Sequence, residues 1–173
     1  MWQGTPPSET RAFTNVKLLL DTSVLIDVLR RRNGRRELLA ELVRAGHTLS
    51  TTALNIAEVY AGMRPGETAP TEAFLGELEC HDLTGSGARL AGKLKNEWRQ
   101  KDRTLTLADT VVAAIAMERK CVLFTDNRKD FPMPEVKLYP RPEGTDFPAI
   151  QELVRRAPAP AKQSAKLPVH LLK

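Results

Sequence analysis

From Val111 to Met117 the chain reads VVAAIAM, seven consecutive apolar residues inside the stretch TLTLADTVVAAIAMERK. A helix this apolar on every side has no face to give to water, and it is too short to cross a bilayer, which takes 18 or more such residues. It has to be covered all round, normally by packing on a sheet. CVLFTD follows at once, a short apolar run of β-compatible residues that ends on an acid. Together they require an interior with at least one buried strand and a buried helix against it.

The same pairing of strand and acid occurs near the start. VKLLL, residues 16–20, is predicted to be a strand, and Asp21 follows it directly. TSVLIDVLR is predicted to be a helix with Val24, Leu25, Val28 and Leu29 on one face and Thr22 or Ser23 as N-cap. Beyond the Asn33-Gly34 break, RRELLAELVRA forms a second helix that ends at Gly46. HTLSTTAL supplies a short strand that turns into a helix carrying Asn55, Ala57, Glu58 and Tyr60, stopped near Gly62. MRPGETAP reads as a loop, residues 71–79 as a helix, and Gly85-Ser86-Gly87 as a break before a helix over 88–99. EVKLY, near residues 136–139, is expected to be a last strand. Strands alternating with helices predict an α/β fold whose mostly parallel central sheet is covered by helices.

The 173 residues suffice for one ordinary domain. Residues 1–15 are read as a leader: Pro-Pro and polar residues predominate, without the apolar core of a signal peptide. Residues 16–140 form the domain, and 141–173 an extension rich in Pro, Ala and charge. The two cysteines, Cys80 and Cys121, lie far apart with no CxxC spacing, so a reduced, cytoplasmic setting is expected, with no membrane association. A net charge of +5 suits a phosphate-rich partner without requiring one. His47, His81 and His170 are scattered, with no HExxH. No GxxxxGK[ST], GxGxxG or GxSxG occurs either, which argues against zinc hydrolase, P-loop, dinucleotide-binding and serine hydrolase chemistry.

Two predicted strands deliver an acid, Asp21 and Asp126, to their carboxyl ends, where open α/β sheets bind ligands. Asp109 enters the apolar helix at its start, a costly place for a carboxylate without a cation or hydrogen-bond donors, although the free amides of a first turn supply some. Each acid also has a plainer explanation. Asp21 and Asp109 could be helix caps, and Glu58 an exposed helix acid. As a group, unpaired carboxylates repel one another unless a cation neutralises them. Mg²⁺ or Mn²⁺ takes a few carboxylates together with water and substrate phosphate, a set suited to phosphodiester hydrolysis.

Three segments, LLLDTSVLIDVL at 18–29, STTALNIAEVYAG at 50–62 and LADTVVAAIAMERKCVLFTDNRKDF at 107–131, resemble PIN-domain proteins. They resemble in particular the ribonuclease toxin of VapBC-type bacterial type II toxin–antitoxin pairs. The resemblance implies a PIN-like three-layer α/β/α fold, with Asp21, Glu58, Asp109 and Asp126 as catalytic and metal-binding acids. For the last position Asp126 is favoured, as a group that holds water or lies outside the direct ligands, with Asn127 as the alternative. Thr22 and Thr125 would hydrogen-bond within the pocket. Asp27 is given no role, and Asp130 is expected to order the loop before Phe131. The resemblance further implies a metal-dependent endoribonuclease using Mg²⁺ or Mn²⁺, an RNA substrate such as tRNA or rRNA, a VapB-like antitoxin and a homodimer. Arg30, Arg31, Arg32, Arg35 and Arg36, with Lys93, Lys95, Arg99, Lys101 and Arg103, are candidates for RNA phosphate contacts, and each reads equally well as solvated basic surface. Two other classes stay open: a catalytically silent PIN-like nucleic-acid-binding or interaction module, and a nuclease directed at DNA or at a particular structure.

Overall fold

The computed structural model describes residues 16–139. The expected leader and the extension from 141 onward lie outside the described residues. Four strands, β1 (Lys17–Leu20), β2 (Thr48–Thr52), β3 (Glu79–His81) and β4 (Val122–Phe124), form one sheet in the order β3-β2-β1-β4. Every pairing among them is parallel. Parallel sheets are covered on both faces, and β1 shows it: Leu18, Leu19 and Leu20 are all buried. Because strand side chains alternate, Leu18 and Leu20 point into one core and Leu19 into the other.

Helices α1 (Thr22–Leu29), α2 (Arg35–Arg44), α3 (Ala53–Ala61) and α4 (Thr68–Leu75) supply the first core, through Val24, Leu25, Leu38, Leu39, Leu42, Val59 and Phe74. Helices α5 (Gly85–Gln100) and α6 (Leu107–Glu118) supply the second. There the apolar run of α6 is wholly enclosed, with Val111 to Ala116 all buried beside Leu123 and Phe131. The result is the three-layer α/β/α arrangement. No helix among the described residues is long and apolar enough to cross a membrane.

Five expectations need correction. The N-cap of α1 is Asp21 rather than Thr22 or Ser23; Thr22 is the first helical residue, and its hydroxyl turns elsewhere. The expected loop MRPGETAP already contains the start of α4 at Thr68, because Pro70 falls in the first turn, where its missing N–H has no intrahelical partner to lose. That helix stops at Leu75, and Glu79, expected to close it, instead begins β3. This strand is three residues long and lacks alternation, so its pattern gives no strand signal. Gly85-Ser86-Gly87 is the first turn of α5, not a break. Thr84 caps it by accepting from the Gly87 N–H at 2.9 Å, and a Cβ on Gly87 would lie 2.7 Å from Glu118 Oε2 of α6. The expected last strand amounts to one parallel bridge, Leu123 to Leu138.

β3 is tied to β1 across the sheet surface by Lys17 and Glu79, Nζ to Oε1 2.9 Å, both partly exposed. Exposed pairs contribute little. Glu79→Gln is therefore expected to cost less than about 1 kcal/mol in urea unfolding, with the difference vanishing in high salt.

Candidate active site

The carboxyl ends of β1, β2 and β4 meet where α1, α3 and the residues after Phe124 begin. β2, Thr48–Thr52, is unusual for a buried strand because Ser50, Thr51 and Thr52 are fully buried hydroxyls. Each is satisfied. Ser50 Oγ donates to the Leu18 carbonyl at 2.9 Å, Thr51 Oγ1 to the Leu20 carbonyl at 3.2 Å, and Thr52 Oγ1 to Asn55 Oδ1 at 2.6 Å. Polar groups buried in this way fix the register of β2 against β1 and with it the position of α3.

Asp21 sits at the centre, 8% exposed. Its N–H is held by the Phe124 carbonyl at 3.0 Å, so β1 and β4 jointly place it. Oδ2 accepts from Thr125 Oγ1 at 2.7 Å and from Ser23 Oγ at 3.3 Å; Oδ1 accepts from Asn55 Nδ2 at 3.2 Å. Asn55 Nδ2 also donates to Thr22 Oγ1 at 2.9 Å, and the Thr22 hydroxyl in turn donates to Glu58 Oε2. Glu58 is thus joined to Asp21 through Thr22 and Asn55. Burial pushes the Asp21 carboxyl above its ordinary value. The hydroxyls of Thr125 and Ser23 and the Thr22 backbone work against that, while the charge of Glu58 adds to it. The groups that steady this carboxylate are neutral donors, so the corner is short of positive charge.

Asp109 is placed by the start of α6. It is not the N-cap. Thr106 is, accepting from the Asp109 N–H at 3.0 Å while its own hydroxyl donates to Asp109 Oδ2. Asp109 occupies the third helical position of this capping pair and is half-buried. Asp126 turns toward Arg35, whose Nη2 donates to Asp126 Oδ1. The Asn127 side chain is exposed, and its N–H donates to Thr125 Oγ1 at 3.0 Å. Asp130 closes the 3-10 turn Arg128–Asp130 through its N–H and the Asn127 carbonyl, 2.9 Å, in the loop before Phe131. Thr22 and Thr125 both bond within the pocket, as expected.

Hard divalent cations take oxygen donors, and Mg²⁺ commonly keeps several waters and uses one or two carboxylates. The carboxylates of Asp21 and Glu58, close enough for charge repulsion and served by neutral donors, fit such an ion. Among the described residues no three of His, Cys, Asp and Glu close into a cage around one point.

Two participants were missed from sequence. Asn55 is fully buried and links the two acids; its signal is Thr52-x-x-Asn55, an N-cap followed by its third helical position, the pattern that Thr106 and Asp109 repeat. Ser23 bonds Asp21 and accepts from the Asp126 N–H at 3.3 Å. Arg35 is among the candidates for RNA phosphate contact or solvated basic surface. It is instead 7% exposed, because α2 turns it inward with Leu38, Leu39 and Leu42. Arg31, Arg32, Arg99, Lys101 and Arg103 are exposed. Arg99 bonds Asn96, Lys101 bonds Glu97 and lies over Trp98, and Arg103 donates to the Lys129 carbonyl. Arg30 and Arg36 are half-buried, Arg30 donating to the Gly62 carbonyl at 3.4 Å. Lys93 is exposed, and Lys95 donates to the Leu105 carbonyl.

Fold and site together define a PIN domain: the family model of that description matches residues 18–133, and the chain belongs to the family. Its similarity extends to particular members. Ribonuclease VapC19 of Mycobacterium tuberculosis is 34% identical over 115 residues, 66% of this chain and 92% of the relative. Ribonuclease VapC10 of the same organism is 30% identical over 116 residues, 67% and 86% of the two chains. Among solved structures, VapBC2 from Rickettsia felis, bound to a DNA fragment from their promoter, superposes with a TM-score of 0.65 at 22% identity, over 72% of this chain and 98% of that one.

Proposed function

We propose that this PIN-domain protein is an endoribonuclease, the toxin of a VapBC-type pair, cleaving RNA phosphodiester bonds with a divalent cation. The observation that carries the reading is the buried Asp21, joined to Glu58 through Thr22 and Asn55 at the carboxyl ends of the sheet. The ribonuclease relatives, matched over most of their length, support the RNA substrate. Asp21 and Glu58 would hold the cation, Mg²⁺ or Mn²⁺, with Asp109 at the start of α6 as a further acid of the proposed site. When bound, the ion supplies a water of lowered pKa and neutralises charge on the phosphate.

The remaining work belongs to the protein. Thr125 and Ser23 fix Oδ2 of Asp21, and Asn55 fixes Oδ1, so the carboxylate presents one orientation to its ligand. The Thr22 hydroxyl does the same for Glu58. Exposed Arg31, Arg32, Arg99, Lys101 and Arg103 offer phosphate contacts that add affinity and salt dependence without reading bases. A VapB-like antitoxin, a homodimeric state, a tRNA or rRNA target and a cytoplasmic setting complete the proposal.

Purified protein is expected to cleave RNA with Mg²⁺ or Mn²⁺ and to lose cleavage in EDTA, read on end-labelled transcripts. Cleavage that persists unchanged in EDTA would overturn the metal mechanism, and cleavage of DNA alone would overturn the substrate.

A further inference from the structure

Arg35 grips the chain on both sides of Thr125. Its guanidinium carbon lies 5.0 Å from the centroid of the Phe124 ring, and its Nη2 donates to the Asp126 carboxylate. Between those two residues stands Thr125, whose hydroxyl donates to Asp21 Oδ2 at 2.7 Å. The arginine is itself fixed from behind. Its Nε is buried 3.6 Å from Asp27 Oδ2, too far for a hydrogen bond but within ion-pair range, and Asn33 Nδ2 donates to the same oxygen at 2.6 Å. Asn33 and Gly34 both adopt left-handed backbone, which turns the chain from α1 into α2 and delivers Arg35 to this position. Phe124 is held further by Tyr139, which stacks on it with ring centroids 4.6 Å apart.

We infer that Arg35 is a positioning residue of the acidic site: through Phe124 and Asp126 it holds Thr125 in the place from which its hydroxyl orients Asp21. The inference rests on reading Asp21 as an active-site acid. It also gives Asp126 a different duty from metal binding, since its carboxylate anchors the arginine, and it gives Asp27 the duty of holding Arg35 from the other side. A guanidinium suits this task better than an ammonium because its plane can lie on a ring while its edge donates to a carboxylate. The 124–127 segment is thereby held at each residue: Phe124 by ring contacts, Thr125 by Asp21, Asp126 by Arg35 and by its N–H to Ser23, and Asn127 by its N–H to Thr125.

The test compares wild type, Arg35→Met, Arg35→Lys, Asp126→Asn and the double variant Arg35→Met/Asp126→Asn. Amide hydrogen exchange reads the clamp and steady-state RNA cleavage reads the site. In Arg35→Met the amides of Asp126 and Asn127 are expected to lose protection while those of α5 keep theirs, with Arg35→Lys between it and wild type. The cleavage rate at saturating RNA should fall roughly 10- to 100-fold, as small displacements of positioning groups produce. KM should stay within about threefold of wild type, since no phosphate contact is removed. The double variant should be no slower than Arg35→Met. A raised KM with unchanged rate would return Arg35 to the RNA-contact role. Protection lost evenly through the whole chain, or unchanged at 126–127, would overturn the clamp. Wild type that cleaves no RNA, while Arg35→Met still loses protection at 126–127, would remove the nuclease reading and leave the clamp standing.

Discussion

Asp21→Asn should abolish RNA cleavage, lowering the rate by roughly 10³-fold or more, about 4 kcal/mol of transition-state stabilisation, in a protein that stays folded. The change is close to isosteric and the surrounding donors can adapt. Asn55 Nδ2 donates to Oδ1, which an asparagine carbonyl can replace, while Thr125 and Ser23 are hydroxyls able to accept from the new amide instead of donating to the old oxygen. Stability should not suffer. Burial and Glu58 raise the Asp21 carboxyl above its ordinary value of 3.8, so the folded state prefers the protonated acid. The associated stability is fully present below that ordinary value and declines as pH rises through the raised one, which leaves the ionised group as a cost at neutral pH. Removing the charge should keep the melting temperature in EDTA equal to or above that of wild type. Adding Mn²⁺ should then stabilise wild type and leave Asp21→Asn unmoved, because only a site that binds the ion gains from it. Full cleavage by Asp21→Asn would take this acid out of the site. A melting temperature that rises equally in both proteins would place the cation elsewhere.

How far the sequence foretold this site depends on what each residue does. The helix from Val111 to Ala116 and the strand ends at Asp21 and Asp126 were legible because an all-round apolar helix has few places to go and parallel strands point their carboxyl ends at ligands. Glu58 and Asp109 needed the family resemblance, since a single helix acid has no periodic signature. Of the acids' partners, Thr22 and Thr125 came with the resemblance, and what the reading lacked was Asn55 and Ser23. Asn55 looks like any polar residue in a helix start until β2 turns its own hydroxyls inward and leaves α3 opening over Asp21. Arg35 was taken with its basic neighbours, although its spacing to Leu38, Leu39 and Leu42 already put it on the buried face of α2. β3 escaped because three polar-leaning residues at a sheet edge owe their strand to pairing with Ser50, Thr51 and Thr52, a tertiary effect with no local trace.

The partner that sequence left out should be as sensitive to change as the acids themselves. Asn55 is fully buried, accepts from Thr52 and points both hydrogens of Nδ2 at oxygen: Asp21 Oδ1 at 3.2 Å and Thr22 Oγ1 at 2.9 Å. Asn55→Asp replaces that donor with a second carboxylate oxygen facing Asp21 and adds a third negative charge to the corner that Asp21 and Glu58 already share. At neutral pH in EDTA the variant should lose about 3–5 kcal/mol, the scale of an uncompensated buried charge. Asn55→Ala, which removes the donor without adding charge, should lose only about 1–3 kcal/mol. Two conditions should rescue the aspartate and not the alanine. Lowering the pH protonates one of the crowded carboxyls, so the gap between Asn55→Asp and wild type should narrow on acidification. A divalent cation supplies the missing positive charge, so Mn²⁺ should raise the melting temperature of Asn55→Asp by more than it raises that of wild type. Urea unfolding of the three proteins with and without Mn²⁺ reads all of this. If Asn55→Asp is as stable as wild type in EDTA, Asn55 does not hold the two acids together, and the case for a cation at Asp21 and Glu58 loses its main structural support.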